Sequence, residues 1–386
     1  MSSAGQAAKR ITGSLKSAAR IWRDAKALAA ERGRRFAPVV LDATLLRMTR
    51  SFAMTDYLQY RLFEPGLTRQ DKLQYISDAE RLPALLTPKH HRLIYANKLV
   101  FELVFRALGM PLAGTYGVYD PAMGQTRDGR SLKTPAELQH WLDGFEGDGL
   151  VFKGVRGSKG HQVVVLDGRA PGQPGSFVDL MGERYDAERL ITLARSAAAQ
   201  ERIIHPSRHH PTDFASYILQ ERLRPHPALA DFVGPTLCCV RVQTFIALDG
   251  APRLLAAVFK LQPKPIGVDH LLYGAVGCWV DLETGRLGLG RVRGTLNDVH
   301  AIPGTDRSFV GFQLPHWAEV KTLALQAAGV FPWARAIGWD IAITDRGPVL
   351  IEGNPAWSAS LIQLPAPTGL FSGEFKALCD SLHLHG

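Results

Sequence analysis

Two acids and an amide near the carboxyl end are the residues best spaced for chemistry. Gly338-Trp339-Asp340-Ile341-Ala342-Ile343-Thr344 and Pro348-Val349-Leu350-Ile351-Glu352-Gly353-Asn354 flank Asp345-Arg346-Gly347, which reads as a hairpin turn. Alternate side chains share a face of a strand, so Ile341 and Ile343 point away from Asp340, and Val349 and Ile351 away from Glu352 and Asn354. Folding about residue 346 sets Asp340 opposite Glu352, with Cβ atoms about 4.5–5.5 Å apart. Carboxylates that close repel, and burial raises the cost, so the pattern predicts a cation between them. Asp340, Glu352 and Asn354 together offer hard oxygen donors suited to Mg2+, an ion that keeps waters and binds substrate phosphates. The plainer reading is a solvent-facing hairpin that tolerates a like-charge pair.

A second cluster is Val151-Phe152-Lys153-Gly154-Val155-Arg156-Gly157-Ser158-Lys159-Gly160. It matches neither GxGxxG nor GxxxxGK[ST] and sits between two predicted strands. A glycine-rich hairpin can still lay backbone N–H groups on phosphate oxygens, with Ser158 as a further donor and Lys153 as a point charge. Arg241 and Lys260 are additional clamps, on strands predicted to pair around Asp249-Gly250 with the two residues nearly equidistant from that turn. Anionic oxygens between them would relieve their repulsion. Tyr217-Ile218-Leu219-Gln220-Glu221-Arg222-Leu223 reads as a strand joining two parts of the chain, with an exposed backbone edge for a nucleotide base. Each of these segments alone also fits an ordinary loop, ladder or strand.

Taken together, these segments resemble the ATP-grasp superfamily over roughly residues 45–386, and more closely its sugar-transfer-associated proteins. The most specific mark is Gly338-Trp339-Asp340 through Leu350-Ile351-Glu352-Gly353-Asn354. The resemblance implies an α+β ATP-grasp fold with ATP held in a cleft between two α+β subdomains. By that likeness Lys98 and Lys153 are the nucleotide lysines, Gly157, Ser158, Lys159 and Gly160 the phosphate lid, and Gln220, Glu221, Arg222 and Leu223 the adenine linker. Asp340, Glu352 and Asn354 are the Mg2+ ligands. Arg241 and Lys260 are clamps on phosphate or intermediate, and Arg293 beside Gly294 is a further anion contact. His226, His270 and His300 are open candidates for ribose or acceptor, or plain surface histidines. The implied activity is an ATP-dependent carboxylate–amine ligase working through an acylphosphate on a cell-surface glycan or its precursor. The partners would be small-molecule or glycan-linked carboxylates and amines. A kinase in the same cleft and a non-catalytic nucleotide-binding scaffold are the alternatives.

These residues need elements to position them. Residues 1–85 read as a mostly helical extension, with Leu45, Leu46, Met48, Phe52, Tyr57, Tyr60 and Phe63 as core anchors. Residues 86–145 read as a small preceding α/β subdomain, including one helix near 93–108 and another after Thr134, whose spacing to Glu137 is that of a capping box. Residues 146–223 form the first ATP-grasp subdomain and 224–386 the second, with a helix over 315–329.

Charge is concentrated at one end. Residues 1–50 hold eleven Lys or Arg against Asp24, Glu31 and Asp42, whereas the whole chain is only +9. Basic residues along a groove would mark a nucleic-acid enzyme, and this distribution argues against one. Ile11, Leu15, Ala18, Trp22, Ala25 and Leu28 form a thin apolar stripe. It packs on the body or, over residues 8–30, rests on an anionic membrane surface. Four scattered cysteines without a CxxC pair, no apolar stretch of membrane-spanning length and no signal-peptide pattern predict a cytoplasmic protein, with the inner membrane face as its one membrane contact.

Overall fold

The structure is a computed structural model that describes residues 18–156, 163–204, 216–265 and 274–384. Its centre is a pair of antiparallel seven-stranded sheets. The first contains β1 (Thr115–Tyr119), β2 (Gln125–Thr126), β3 (Leu150–Gly154), β4 (Val163–Arg169), β5 (Phe177–Asp179), β6 (Arg184–Tyr185) and β7 (Tyr217–Glu221), in the order β2-β1-β7-β3-β4-β5-β6. Alternation buries Leu150, Phe152, Leu166 and Leu219 against Leu138, Leu142, Leu190 and Ile191 of two helices, Pro135–Asp143 and Ala187–Ile204. The Thr134 capping box is formed, Glu137 N–H donating to Thr134 Oγ1 at 3.2 Å and Thr134 N–H to Glu137 Oε2 at 2.9 Å.

β7 departs from the sequence reading. It is an interior strand, paired with β1 through Thr115–Gln220 and with β3 through Leu150–Glu221. An open backbone edge therefore begins only beyond Glu221. The boundary expected at residue 145 also runs through this sheet, because β1 and β2 share it with β3–β7.

The second sheet holds β8 (Cys239–Ile246), β9 (Pro252–Leu261), β10 (Val276–Val280), β11 (Leu287–Val292), β12 (Asp298–Val299), β13 (Ala336–Thr344) and β14 (Gly347–Asn354), in the order β12-β11-β10-β9-β8-β13-β14. One face carries Val240, Val242, Phe259, Val276, Cys278, Trp339 and Ile341, and packs on the Trp317–Val330 helix. The other face is divided. Its apolar part, with Ala256, Val258 and Ala336, lies under the Ala359–Gln363 and Gly373–Ser381 helices. Its polar part carries Arg241, Lys260 and Asp340, all buried. Arg241 faces Val258 across β8 and β9, a register that also contains a bulge at Gln243/Thr244, so Arg241 and Lys260 are not the equidistant pair expected.

Helices fill residues 18–107. The 18–31 helix buries Ile21, Ala25 and Ala29 in one core with Val39, Leu46, Phe52, Tyr57, Tyr60 and Phe63. That burial uses much of the apolar side of residues 18–30, with Trp22 and Leu28 half-buried against the same core; residues 8–17 lie outside the described part. Leu45 and Met48 are not core anchors: they are 53% and 79% exposed, because the Phe36–Arg50 helix turns Val39, Ala43, Leu46 and Arg50 inward instead. No helix among the described residues is long and apolar enough to cross a membrane. All four cysteines are buried, and none is in a disulfide.

The helical layer is laced to the far end of the chain. Gln363 accepts from Ile76 N–H at 3.0 Å and donates to Ile76 O at 2.6 Å, while Phe371 N–H donates to Gln74 O at 2.7 Å. The helix expected over 93–108 is split at Asn97. Its extended backbone ends Leu93–Ala96, and its side-chain oxygen accepts from Leu99 and Val100 N–H, starting Lys98–Ala107 afresh.

Candidate active site

The carboxyl-terminal hairpin places Asp340 opposite Glu352, but through a bulge. The turn pairs Thr344 with Gly347, and pairing continues to Ile341–Leu350. There the register slips, Ile351 becomes the extra residue, and Asp340 then faces Glu352, Trp339 faces Gly353 and Gly338 faces Asn354. The fold about residue 346 gives the right pair at the site and the wrong pairs near the turn.

Protein cations already meet the Asp340 charge. Arg241 Nε donates to Oδ1 at 2.6 Å and Arg241 Nη2 to Oδ2 at 2.7 Å; Lys260 Nζ lies 3.2 Å from Oδ1. Burial works to raise the Asp340 carboxyl, but the charges of Arg241 and Lys260 outweigh it and hold the group far below the usual carboxylate range. Repulsion between the two acids therefore does not by itself demand a metal. Asn354 Nδ2 donates to Glu352 Oε1 at 3.2 Å and to Gly338 O at 3.3 Å.

Across from this hairpin stand the two lysines. Lys153 ends β3, beside Ile218 of β7. Lys98 opens the helix capped by Asn97, and its N–H donates to Val155 O at 2.9 Å, which ties that helix start to the end of β3. Burial lowers the Lys98 ammonium, with Glu352 opposing. Burial first and Lys98 second push Lys153 down to about 8, against the pull of Glu352 and Glu102. Two lysines of one half of the molecule thus act electrostatically on a carboxylate of the other. The charges of Lys98, Lys153, Arg241 and Lys260 thus gather with those of Asp340, Glu352 and Glu102.

The linker residues have other partners. Gln220 is buried with its amide near Glu102 and Thr115, both at 3.4 Å. Glu221 accepts from Gly114 N–H at 2.9 Å and pairs with Arg346 of the hairpin turn. Arg222 pairs with Asp167 and donates to Leu223 O at 2.8 Å. These side-chain contacts hold the junction together. Leu223 joins a small apolar cluster with Ala113, Val349, Leu237 and Ile351. Strand alternation places Val349 and Ile351 only on the side away from the acids; their shared cluster with Leu223 is a tertiary fact that no local pattern shows.

Arg293 is placed elsewhere. It is exposed at the end of β11, with its charge acting on Asp56 of the helical layer. Three strands separate β11 from β13, so Arg293 does not join the Asp340 network. His226 caps the Pro227–Val233 helix by accepting from Ala228 N–H at 3.2 Å, and His300 is exposed. Gly157, Ser158, Lys159, Gly160 and His270 lie outside the described residues. Sequence reasoning missed Glu102, whose Oε1 accepts from Arg106 at 2.9 Å while its charge reaches Lys153. It also missed Asn97, where a helix N-cap type before Lys98 was the available signal.

The donor set fits Mg2+ in kind. Glu352 and Asn354 bring hard oxygens beside Asp340, and no cluster of three or more His, Cys, Asp or Glu residues suited to a metal occurs among the described residues.

The family described as sugar-transfer associated ATP-grasp matches residues 78–378. A comparison with curated proteins gave no match. Similar solved structures include D-alanyl-alanine synthetase A from Vibrio cholerae, at 13% identity over 75% of this chain and 66% of that one, with a TM-score of 0.39. Another is the biotin carboxylase domain of 2-oxoglutarate carboxylase from Hydrogenobacter thermophilus, at 12% identity over 68% of this chain and 40% of that one, TM-score 0.35. A third is biotin carboxylase from Campylobacter jejuni, at 10% identity over 74% of this chain and 48% of that one, TM-score 0.37. The chain thus spans 40% to 66% of these three solved chains.

Proposed function

This chain belongs to the sugar-transfer associated ATP-grasp family and has the ATP-grasp fold, and from that premise we propose that it is an ATP-dependent carboxylate–amine ligase acting through an acylphosphate on a cell-surface glycan or its precursor. The observation that carries the reading is the pair Lys98 and Lys153 in one half acting on Glu352 in the other, beside the Arg241–Asp340–Lys260 network.

In this reading Lys98 and Lys153 bind the phosphates of ATP, and the base rests on the apolar cluster of Leu223, Val349 and Ile351. Glu352 and Asn354 would hold Mg2+ beside Asp340, whose own oxygens Arg241 and Lys260 occupy, and the ion would offset charge on the phosphate oxygens. Lys260 and Arg241 border the place where the substrate carboxylate meets the γ-phosphate. A carboxylate oxygen bonds to the γ-phosphorus as the bond to the ADP oxygen breaks. A neutral amine then attacks the acyl carbon, phosphate leaves with the bonding electrons, and the amine proton passes to it. The substrates are small or glycan-linked, and the enzyme works in the cytoplasm.

The test is product analysis. Purified protein with Mg-ATP and a pool of carboxylates, amines and glycan precursors is expected to yield ADP, phosphate and an amide adduct in equal amounts. Glu352→Gln is expected to stay folded and lose about 100-fold or more in turnover. Phosphate retained on an acceptor would make the protein a kinase. Tight MgADP binding without any turnover would make it a scaffold.

A further inference from the structure

Gln243 is fully buried, and neither its amide nitrogen nor its amide oxygen has a hydrogen-bond partner. Among the described residues it is the only side chain with both polar ends of an amide left so. Buried polar groups are nearly always paired, and an unpaired one is costly.

Its place in the fold points to substrate. Gln243 lies on β8 between Gly338 of β13 and Ala256 of β9, on the face of Arg241 and two residues from it. A Cβ built on Gly338 would stand 2.6 Å from Gln243 Oε1 and 2.8 Å from Nε2, so the amide lies over that glycine. Asn354 pairs with Gly338 from the other side. The amide therefore sits in one cross-strand row with Asn354, adjoining the row of Glu352, Asp340 and Arg241.

A roof crosses this row. Beyond Asn354 the chain passes over β13 and β8 to bring Ala359–Gln363 onto β9 and β10. Trp357 lies on that crossing, is buried in the same apolar cluster as Ala256, and has an unpartnered indole N–H. The crossing is fixed from the helical layer. Asp78 Oδ2 accepts from Ser358 Oγ and Ser360 Oγ, both at 2.7 Å, and Oδ1 accepts from Ser360 N–H at 3.2 Å. Asp56 Oδ2 in turn accepts from Asp78 N–H at 3.0 Å and Ser77 Oγ at 2.6 Å.

Two donors and one acceptor are thus held without net charge next to the ion network, and the Arg241 charge is already answered by Asp340. We propose that Gln243 is a specificity-determining residue that, with the Trp357 indole N–H, binds a neutral hydroxyl or amide group on the ring of a sugar-like substrate beside its reacting carboxylate or amine. The inference deepens the ligase reading and rests on it.

The test uses the full chain loaded with MgADP, titrated calorimetrically with D-glucuronate, D-glucosamine and N-acetyl-D-glucosamine, with L-alanine as the probe lacking a ring. Wild type is expected to bind at least one ring probe more tightly than L-alanine. Gln243→Met, which keeps length and removes both polar atoms, is expected to weaken that ring probe roughly tenfold or more and to leave L-alanine unaffected. Its thermal midpoint without ligand is expected to equal or exceed that of wild type, since the orphaned atoms are gone. Gln243→Glu is expected to weaken the ring probe as well, by adding a charge. Equal binding of the ring probe by wild type and Gln243→Met, no binding of any ring probe by the MgADP-loaded wild type, or a Gln243→Met midpoint lower by several degrees would each overturn the inference. Failure of wild type to bind MgADP would instead overturn the ligase reading beneath it.

Discussion

In the second sheet, the Asp340 carboxylate receives two hydrogen bonds from Arg241 and an ion pair from Lys260 in a nearly closed interior. In the first sheet, Lys153 has no ion pair among the described residues, and burial pushes it down to about 8. Both regions place charge where water is scarce. One completes its electrostatics within the chain and so holds its shape; the other holds positive charge that, in the ligase reading, a ligand completes. A rigid wall facing an electrostatically unfinished one is what a site for a polyanion requires.

The comparison breaks most visibly at Arg241. Arg241→Met leaves a buried carboxylate with one cation, and is expected to cost about 3–5 kcal/mol of folding stability, read by urea denaturation. A midpoint close to wild type would mean that the network is not structural.

Lys153→Met removes a half-buried charge that makes no ion pair among the described residues. Stability without ligand is expected to hold or rise, while MgADP binding weakens by about 2 kcal/mol, roughly 30-fold. Calorimetry with MgADP checks both the sign and the contrast with Arg241; unchanged affinity would place the polyanion elsewhere.

A smaller effect sharpens the picture through pH. The folded-state value of Lys153 lies below its ordinary 10.5, so its burial penalty is fully present below about pH 8 and fades as pH rises towards 10.5. This group therefore makes the unliganded protein more stable at alkaline pH. A bound polyanion favours the charged form, so MgADP affinity is expected to fall about tenfold between roughly pH 7 and 9, with proton uptake on binding near pH 8. Binding enthalpies in buffers of different ionisation heat measure that uptake.

Local signals carried part of this design. Thr134 and Glu137 announced their capping box, and Asp249-Gly250 its hairpin, because both depend on residues a few positions apart. The facing of Asp340 and Glu352 was legible, but the bulge at Ile351 that produces it was not, since pairing register is decided by which side chains the sheet must bury. Nothing near residue 340 in the chain reveals that Arg241, 99 positions away, saturates it. The interior position of β7 was hidden for the same reason: Thr115 and Gln220 are distant in sequence and adjacent in space. Leu45 and Met48 misled because a helix offered two apolar sides, and only packing chooses between them.

The bonds of Ile76 and Gln74 to Gln363 and Phe371 have a temporal consequence. During synthesis the early helices must wait for partners nearly three hundred residues downstream. At ribosomal rates of about 5–20 residues per second, that delay is on the order of 15–60 s. Through that interval Ile76, Leu82 and Leu86 lack the Ile362, Phe371 and Leu378 side chains that cover them in the finished fold.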